Sequence, residues 1–220
     1  IMNNIKCVLF DLDGTLADTS KDMCNCLNNI LERRNLKKVD CPELKFHISR
    51  GVVGIIEYAS YVNGRSVDSS LMRSEFLEDY KDNCFLKTEL TSGMSFLLSE
   101  LENISIKWGV VTNKHYKFAS KIIEGLNIKD RSSCLITGNM VNNPKPSPEM
   151  LLKAVELLKL DVNDVMYIGD DERDIIAGKS AGMKTVIANF GFIKDNVNYN
   201  SWGSDYILNR PQELLDILKK

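Results

Sequence analysis

The chain has 220 residues, 44% of them hydrophobic, and a formal net charge of -2. These values suit one large domain, or one with a modest insertion, that buries about 70% of the surface of its unfolded chain. No block of like charge suggests a nucleic-acid surface, and no apolar run approaches the ~20 residues of a membrane helix, which disfavours both partners. The start lacks the pattern of a secretory signal, so we expect a cytoplasmic protein.

The first predicted element is an apolar strand over residues 5–10, and it ends in Asp11-Leu12-Asp13-Gly14. Aspartate and glycine are ordinary turn residues, so this ending is consistent with a simple turn. Two carboxylates directly after a buried strand also suit a catalytic pair. The stretch alone leaves both interpretations open.

The segment from residue 20 to about residue 86 contains no convincing strand. Its apolar residues recur at helical spacing in three stripes, which predicts a helical insertion after the first strand. The stripes are Met23, Leu27, Ile30 and Leu31; Val52, Ile55, Ile56 and Ala59; and Met72, Phe76, Tyr80 and Cys84.

From about residue 88 onward, strand-like segments alternate with helical ones. The predicted strands are 106–111, 134–137, 165–169, 184–189 and 205–208, and the predicted helices are 115–126, 147–160, 171–182 and 214–218. Such alternation is typical of βαβ units and predicts a mostly parallel sheet.

The six cysteines are scattered along the chain, and none belongs to a Cys-x-x-Cys pair. Cys7 and Cys134 lie within apolar strand-like runs, where buried free thiols are common. We therefore expect neither a metal-binding nor a redox role for the cysteines.

Polar residues follow four of the predicted strands. Asp11 and Asp13 follow the first, Thr112 and Asn113 follow the second, a loop with Lys145 follows the third, and Gly-Asp-Asp-Glu-Arg-Asp (169–174) follows the fourth. Ligands of open α/β sheets bind at the carboxyl ends of the strands. Each segment alone is explained by a turn, a polar loop, a solvated lysine or a helix cap. Together they favour phosphoryl chemistry with Mg²⁺, which needs positioned charge and oxygen ligands.

The segments DLDGT, VVTN, NPKPSPE and GDDERD resemble the four motifs of the haloacid dehalogenase-like phosphohydrolases. The resemblance runs from about residue 5 to residue 218. Within that family the chain looks like the phosphoglycolate phosphatase group, and closest to a branch acting on N-acetylmuramic acid 6-phosphate. The resemblance implies a doubly wound, Rossmann-like α/β core over residues 1–18 and 87–220, with a helical cap domain over residues 19–86.

The resemblance also implies the catalytic roles. Asp11 would be the nucleophile that forms an aspartyl-phosphate, and Asp13 would exchange protons with the leaving oxygen and the hydrolytic water. Thr112 would donate a hydrogen bond to the phosphate, and Lys145 would offset the charge of nucleophile and phosphate. An acid at Asp13 implies hydrolysis of phosphate esters and not of carbon–halogen bonds, because an alkoxide leaving group needs a proton.

By the same resemblance, Mg²⁺ would be held by the side chains of Asp11 and Asp170 and by the main-chain carbonyl of Asp13. Asp171 and Asp174 would support these ligands, although Asp171 is also placed to cap the following helix. The expected phosphate and substrate contacts are Leu12, Gly14, Thr15, Asn113, Ser49, Arg50 and Gly51. Among these, Arg50 suits a substrate carboxylate, whereas we expect no catalytic role for His47 or His115.

The expected substrate is a small phosphate ester, and 2-phosphoglycolate and N-acetylmuramic acid 6-phosphate both remain open. The chain is expected to act as a monomer or homodimer. A phosphosugar mutase on the same scaffold is the main alternative, and a non-enzymatic binding module is a weaker one.

Overall fold

The structure is a computed structural model that describes residues 5–219. Its strands are β1 (Cys7–Phe10), β2 (Ala17–Asp18), β3 (Glu89–Leu90), β4 (Lys107–Thr112), β5 (Leu135–Thr137), β6 (Val165–Gly169), β7 (Lys184–Ala188) and β8 (Tyr206–Leu208). Its α-helices are α1 (Ser20–Arg33), α2 (Cys41–Leu44), α3 (Gly51–Val62), α4 (Ser69–Asn83), α5 (Met94–Asn103), α6 (Tyr116–Gly125), α7 (Glu149–Leu158), α8 (Glu172–Ala181) and α9 (Leu214–Leu218).

Six strands form one sheet in the order β5-β4-β1-β6-β7-β8, and every neighbouring pair is parallel. The chain winds outward from β1 on one side through β4 and β5, and on the other through β6, β7 and β8. The strand order therefore reverses beside β1, where the carboxyl ends of β1, β4 and β6 meet and ligands of such sheets bind. The predicted doubly wound, mostly parallel sheet is confirmed.

The central strand β1 is buried on both faces. All four of its residues have 0% exposure, and alternate side chains enter two different hydrophobic layers. Val8 and Phe10 pack with the larger layer, while Cys7 and Leu9 pack with the layer that includes residues of α7 and α8. This burial explains why β1 appears in the sequence as a continuous apolar run.

Helices α1–α4, which we call the cap, lie between β2 and β3, in agreement with the predicted helical insertion. The antiparallel β2–β3 pair joins the two points where the chain enters and leaves the cap. Asp22 at the start of α1 accepts backbone hydrogen bonds from Leu86, Lys87 and Thr88, each 2.9 Å long. The buried Asp22 carboxylate thus ties the two crossings together.

Several elements were not predicted. The strands β2 and β3 have two residues each, which is too short for a periodic signal. Helix α5 buries Met94, Leu97, Leu98 and Leu101, a helical spacing that is visible in the sequence but was not among the predicted helices. Among the described residues, no helix is both long and apolar enough to cross a membrane.

The cysteines follow the prediction only in part. Cys7 and Cys134 are buried free thiols, as expected, and Cys26 and Cys84 are also buried and free. Cys24 and Cys41, however, form a disulfide bond between α1 and α2, with their Cα atoms 5.6 Å apart. The expectation of no redox chemistry at the cysteines is wrong at this pair. Their separation of 17 residues matches no recognisable spacing, so only the packing of the two helices brings them together.

Candidate active site

A cavity of about 490 Å³ lies between the carboxyl edge of the sheet and the cap. Many of the predicted site residues line it: Asp11, Asp13, Ser49, Arg50, Gly51, Thr112, Asn113, Lys145, Asp171 and Asp174. The other predicted residues of the core site, Leu12, Gly14, Thr15 and Asp170, do not line the cavity. Both the core and the cap therefore contribute predicted residues to one cavity.

The turn after β1 depends on Gly14. Its φ of +81° is in the left-handed region, and a Cβ atom there would collide with the Asp170 carboxylate and the Phe192 ring. Glycine avoids both problems. The Gly14 amide donates to Ala17 O at 2.9 Å and the Thr15 amide to Leu12 O at 3.4 Å, so these two donors, expected to face phosphate, are already used within the turn.

Lys145 lies in the centre of a buried polar network. Its Nζ donates to Asp11 Oδ1 at 2.8 Å, to Asp174 Oδ1 at 2.7 Å and to the Tyr167 hydroxyl at 2.7 Å. Burial works to lower the pKa of Lys145, but the charges of Asp11 and Asp174 outweigh it and raise that pKa above its ordinary value. Lys145 is therefore held as a cation beside the predicted nucleophile.

Three buried carboxylates converge at this point. Ligand atoms of Asp11, Asp170 and Asp174 all lie within 4.8 Å of one another. Burial, reinforced by Asp174 against the opposing charge of Lys145, raises the pKa of Asp11 to about 7, and burial likewise raises the pKa of Asp170. Three carboxylates around a single lysine need further positive charge, and an all-oxygen donor set fits a hard divalent cation such as Mg²⁺.

Asp170 is held in place by the turn after β1 and by the loop after β7. Its Oδ1 accepts from the Thr15 hydroxyl at 3.3 Å, and its Oδ2 accepts from the Phe192 amide at 2.7 Å. Thr15, expected to contact phosphate, thus contacts a predicted metal ligand through its side chain.

Asp13 has different partners from Asp11. Its Oδ1 accepts hydrogen bonds from the Thr19 hydroxyl and from Lys114 Nζ, the latter at 2.8 Å. No described residue is hydrogen-bonded to the other oxygen, Oδ2. The carboxylate is therefore fixed in orientation through one oxygen while the second faces no competing donor.

Thr112 is the last residue of β4, one residue later than the predicted strand end, and Asn113 follows the strand. The Thr112 hydroxyl is almost fully buried and accepts the Lys114 amide at 3.1 Å, which leaves its proton available for donation. The Asn113 amide exchanges two hydrogen bonds with the backbone of Lys145, at 2.9 and 3.0 Å. The side chain of Asn113, expected near the phosphate, therefore positions the lysine loop.

Asp171 caps α8. Its carboxylate accepts the Arg173 amide at 3.0 Å, and Asp174 accepts the Asp171 amide at 3.1 Å, which together form a capping box. Arg173 also donates to Asp171 Oδ1 at 2.6 Å and, through Nη2, to the carbonyl of Ser49 in the cap. The first turn of α8 is thus linked directly to the cap at the backbone of Ser49.

Four of the residues just described were not predicted from sequence: Thr19, Lys114, Tyr167 and Arg173. Tyr167 lies inside a buried strand, where an aromatic residue is unremarkable. Lys114 directly follows Thr112 and Asn113, and this adjacency is the one signal that could have pointed to it. The contacts of the other three become visible only after folding.

Known proteins resemble this chain over most of its length. The family profile described as "Haloacid dehalogenase-like hydrolase" matches residues 8–188. The chain is 37% identical to an N-acetylmuramic acid 6-phosphate phosphatase of Pseudomonas putida, over 97% of this chain and 96% of that protein. It is 32% identical to a phosphoglycolate phosphatase of Xanthomonas campestris, over 95% of this chain and 94% of the relative.

A solved structure shares the fold. The crystal structure of a predicted phosphoglycolate phosphatase from Haemophilus somnus superposes with a TM-score of 0.87 at 23% identity, covering 98% of this chain and 99% of that one. Together with the family profile and the curated relatives, these observations lead to one conclusion: this chain belongs to the haloacid dehalogenase-like hydrolases and is a phosphoric monoester hydrolase of that family.

Proposed function

We propose that this protein is a Mg²⁺-dependent phosphatase that cleaves a small phosphomonoester through an aspartyl-phosphate on Asp11. The observation that supports it most directly is the separation of two carboxylates into different environments. Asp11 lies against the buried cation Lys145, whereas Asp13 is held by Lys114 and Thr19 through Oδ1, and no donor within the described part of the chain engages its Oδ2. One carboxylate is placed for attack and the other for proton exchange.

In the first step, an oxygen of Asp11 attacks phosphorus and the bond to the ester oxygen breaks. Asp13 gives its proton to that leaving oxygen, so the alcohol departs neutral. In the second step, Asp13 takes a proton from water, the water oxygen attacks phosphorus, and the bond to Asp11 breaks. Inorganic phosphate leaves and both aspartates return to their starting state. Thr112 and Lys145 stabilise the phosphoryl oxygens throughout.

We propose that Asp11 and Asp170 hold the Mg²⁺ by their side chains, together with the main-chain carbonyl of Asp13. Asp171 and Asp174 support the site as helix cap and as partner of Lys145. When bound, the cation supplies positive charge that lets the clustered carboxylates and a phosphate share one site. The donor set of Asp11, Asp170 and Asp174 fits such an ion.

The cavity supports the larger of the two candidate substrates. It measures about 490 Å³, within the usual size range of small-molecule sites, and its walls include the partly buried or exposed apolar side chains of Val52, Val53 and Leu77. 2-Phosphoglycolate, with two carbons and two anionic groups, leaves these apolar walls without contacts. We therefore propose N-acetylmuramic acid 6-phosphate, the substrate named for the Pseudomonas relatives, as the preferred substrate.

The proposal assigns residues 19–86 to the cap domain and the remainder of the chain to the catalytic core. Ser49, Arg50 and Gly51 face the cavity and contribute to the substrate-binding surface. We place the enzyme in the cytoplasm, acting as a monomer or homodimer.

The test of the mechanism is Asp11→Asn, with the exposed Asp216→Asn as the matched control. The asparagine amide is a poor nucleophile, so we expect no measurable phosphate release from either a sugar phosphate or an aryl phosphate, while the control keeps full activity. Activity of Asp11→Asn near the wild-type level would show that the mechanism is wrong. The same assays with chelator should show no turnover, and an isomeric phosphate in place of free phosphate would indicate the mutase.

A further inference from the structure

One face of helix α4 forms a wall of the active-site cavity. Four residues of this helix line the cavity: Arg73, Phe76, Leu77 and Tyr80. They are spaced by three, four and seven positions, so they lie on the same side of the helix, one turn above another. The stripe places a cation at one end, apolar side chains in the middle and a phenol at the other end.

The Tyr80 end of the stripe lies beside the reacting groups. Lys114 Nζ is 5.1 Å from the centroid of the Tyr80 ring, and the same Nζ binds Asp13 at 2.8 Å. Tyr80 is almost fully buried, and its hydroxyl finds no hydrogen-bond partner within residues 5–219. Tyr80 lies seven positions after Arg73 in the helix, a distance of about 10 Å along the axis. Arg73 therefore lies toward the end of the cavity remote from the phosphate.

Arg73 differs from the other arginines and lysines that line the cavity. The others already have carboxylate partners: Arg50 with Glu57 at 2.6 Å, Lys114 with Asp13 at 2.8 Å, Lys145 with Asp11 at 2.8 Å and Arg173 with Asp171 at 2.6 Å. Within the described part of the chain, no ion pair or hydrogen bond engages the Arg73 guanidinium. Its fork of donors is free for a ligand.

We infer that Arg73 binds a carboxylate of the substrate and thereby determines specificity. This inference rests on the proposed function and deepens it. A free guanidinium binds a carboxylate through two parallel charge-assisted hydrogen bonds, which gives both affinity and orientation. The substrate class that fits is a phosphorylated sugar whose carboxylate lies across the ring from the phosphate.

The length of the stripe distinguishes the two candidate substrates. In 2-phosphoglycolate a single carbon separates the carboxylate from the ester oxygen, which is too short for the roughly 10 Å between the two ends of the stripe. In N-acetylmuramic acid 6-phosphate the lactyl ether on the ring places its carboxylate far from the phosphate. The apolar Leu77, which lies between the two ends and is only partly buried, would contact the body of the sugar.

The experiment compares two esters that differ only in the lactyl group: N-acetylmuramic acid 6-phosphate and N-acetylglucosamine 6-phosphate. We expect the wild-type enzyme to prefer the first in kcat/KM by about 10- to 100-fold, the range of a charged hydrogen bond. Arg73→Gln should remove most of this preference, chiefly through KM, because the contact is made equally in the ground and transition states.

Three further variants sharpen the result. Arg65→Gln removes the same charge from the cap surface outside the cavity and should keep the wild-type preference. Arg73→Lys keeps the charge but not the fork, so it should restore part of the preference even if the glutamine variant folds poorly. Arg50→Gln tests the other candidate arginine, and loss of preference there with retention in Arg73→Gln would overturn the inference.

The outcomes separate the inference from the function on which it rests. If the wild-type enzyme releases phosphate from neither ester, the proposed function is wrong, and the inferred role of Arg73 is wrong as well. If it cleaves both esters equally well, or if Arg73→Gln keeps the preference, the phosphatase stands and the inference about Arg73 is wrong.

Discussion

Asp11 and Asp13 are two positions apart in the chain, yet their surroundings differ in charge and contact. Asp11 shares Lys145 with Asp174 in a buried network, which suits a nucleophile that must approach an anionic phosphate. Asp13 is bound by Lys114 and Thr19 through one oxygen, which leaves the other for proton exchange. At the scale of residues, the proposed roles of nucleophile and proton donor follow from the lysine that each carboxylate contacts.

The separate roles proposed for Asp11 and Asp13 predict how the Asp13→Asn variant behaves with different leaving groups. Loss of a general acid should slow cleavage of an alkyl phosphate by about 10²- to 10⁴-fold. An aryl phosphate with a stable phenolate leaving group needs no proton, so its first step should survive while the second step slows. Rapid-mixing assays with p-nitrophenyl phosphate should then show a burst of one phenolate per enzyme followed by slow turnover.

Two other variants serve as controls for the burst experiment. Asp216→Asn should show the wild-type time course, and Asp11→Asn should show no burst. If Asp13→Asn slows both substrates to the same extent and gives no burst, Asp13 does not have separate acid and base roles.

At the scale of elements, the cap is connected to the core at several points. The β2–β3 pair and Asp22 join the two chain crossings, Arg173 binds the Ser49 carbonyl, and Lys194 pairs with Glu43. The last two contacts reach the segment from α2 to the start of α3, which carries Ser49 and Arg50. The position of this segment therefore depends on the core loops as well as on the cap helices.

The Cys24–Cys41 bond fixes the same segment from the side of the cap. It closes a loop of 17 residues between α1 and α2. A disulfide that closes a loop of this length stabilises the folded protein by about 3 kcal/mol, because it lowers the entropy of the unfolded chain. Reduction of the bond should therefore lower the free energy of unfolding by about that amount. Urea unfolding with and without dithiothreitol measures the difference.

A double variant, Cys24→Ser with Cys41→Ser, is the control for this prediction. It should unfold like the reduced wild type and respond to dithiothreitol no further. Thiol labelling after denaturation should find four reactive cysteines without reductant and six with it. Six reactive thiols without reductant, from protein purified under air, would show that the bond does not form.

At the scale of the whole molecule, the carboxylate cluster makes stability depend on pH and on the cation. Burial raises the pKa of Asp11 from 3.8 to about 7. The folded metal-free protein thus holds this proton more tightly than the unfolded chain between about pH 4 and pH 7. The stability that the protonated Asp11 carboxyl group contributes to the folded protein is present below about pH 4 and is lost as the pH rises to about 7.

A bound cation should oppose this loss, because it competes with the proton for the ionised carboxylates. We therefore expect Mg²⁺ to raise Tm little near pH 5 and more near pH 8, as measured by calorimetry with Mg²⁺ or chelator. Asp170→Asn should remove the Mg²⁺ effect, whereas Asp216→Asn should keep it. A Mg²⁺ shift that is the same at both pH values would contradict the proposed site.

Local patterns were sufficient for much of the architecture. The apolar run ending at Phe10 and the alternating strands and helices after residue 88 predicted the parallel sheet, because burial and periodicity are properties of neighbouring residues. The two-residue strands β2 and β3 carry no such pattern. The ion pair of Lys145 with Asp174, 29 residues away, and the contact of Arg173 with Ser49, 124 residues away, depend on folding.

Local sequence was sufficient to predict the residue types that follow each strand, the helical insertion after β1 and the family that these features share. This was possible because catalytic motifs and hydrophobic periodicity are properties of residues that are close together in the chain. Folding was needed to establish which lysine contacts which carboxylate, that Asp171 caps α8 and that Asn113 holds the lysine loop. It was also needed to show that Arg73 lines the cavity with no hydrogen-bond or ion-pair partner among residues 5–219. These depend on side chains from distant segments meeting at the edge of the sheet, and their distances and charges exist only once the chain has folded.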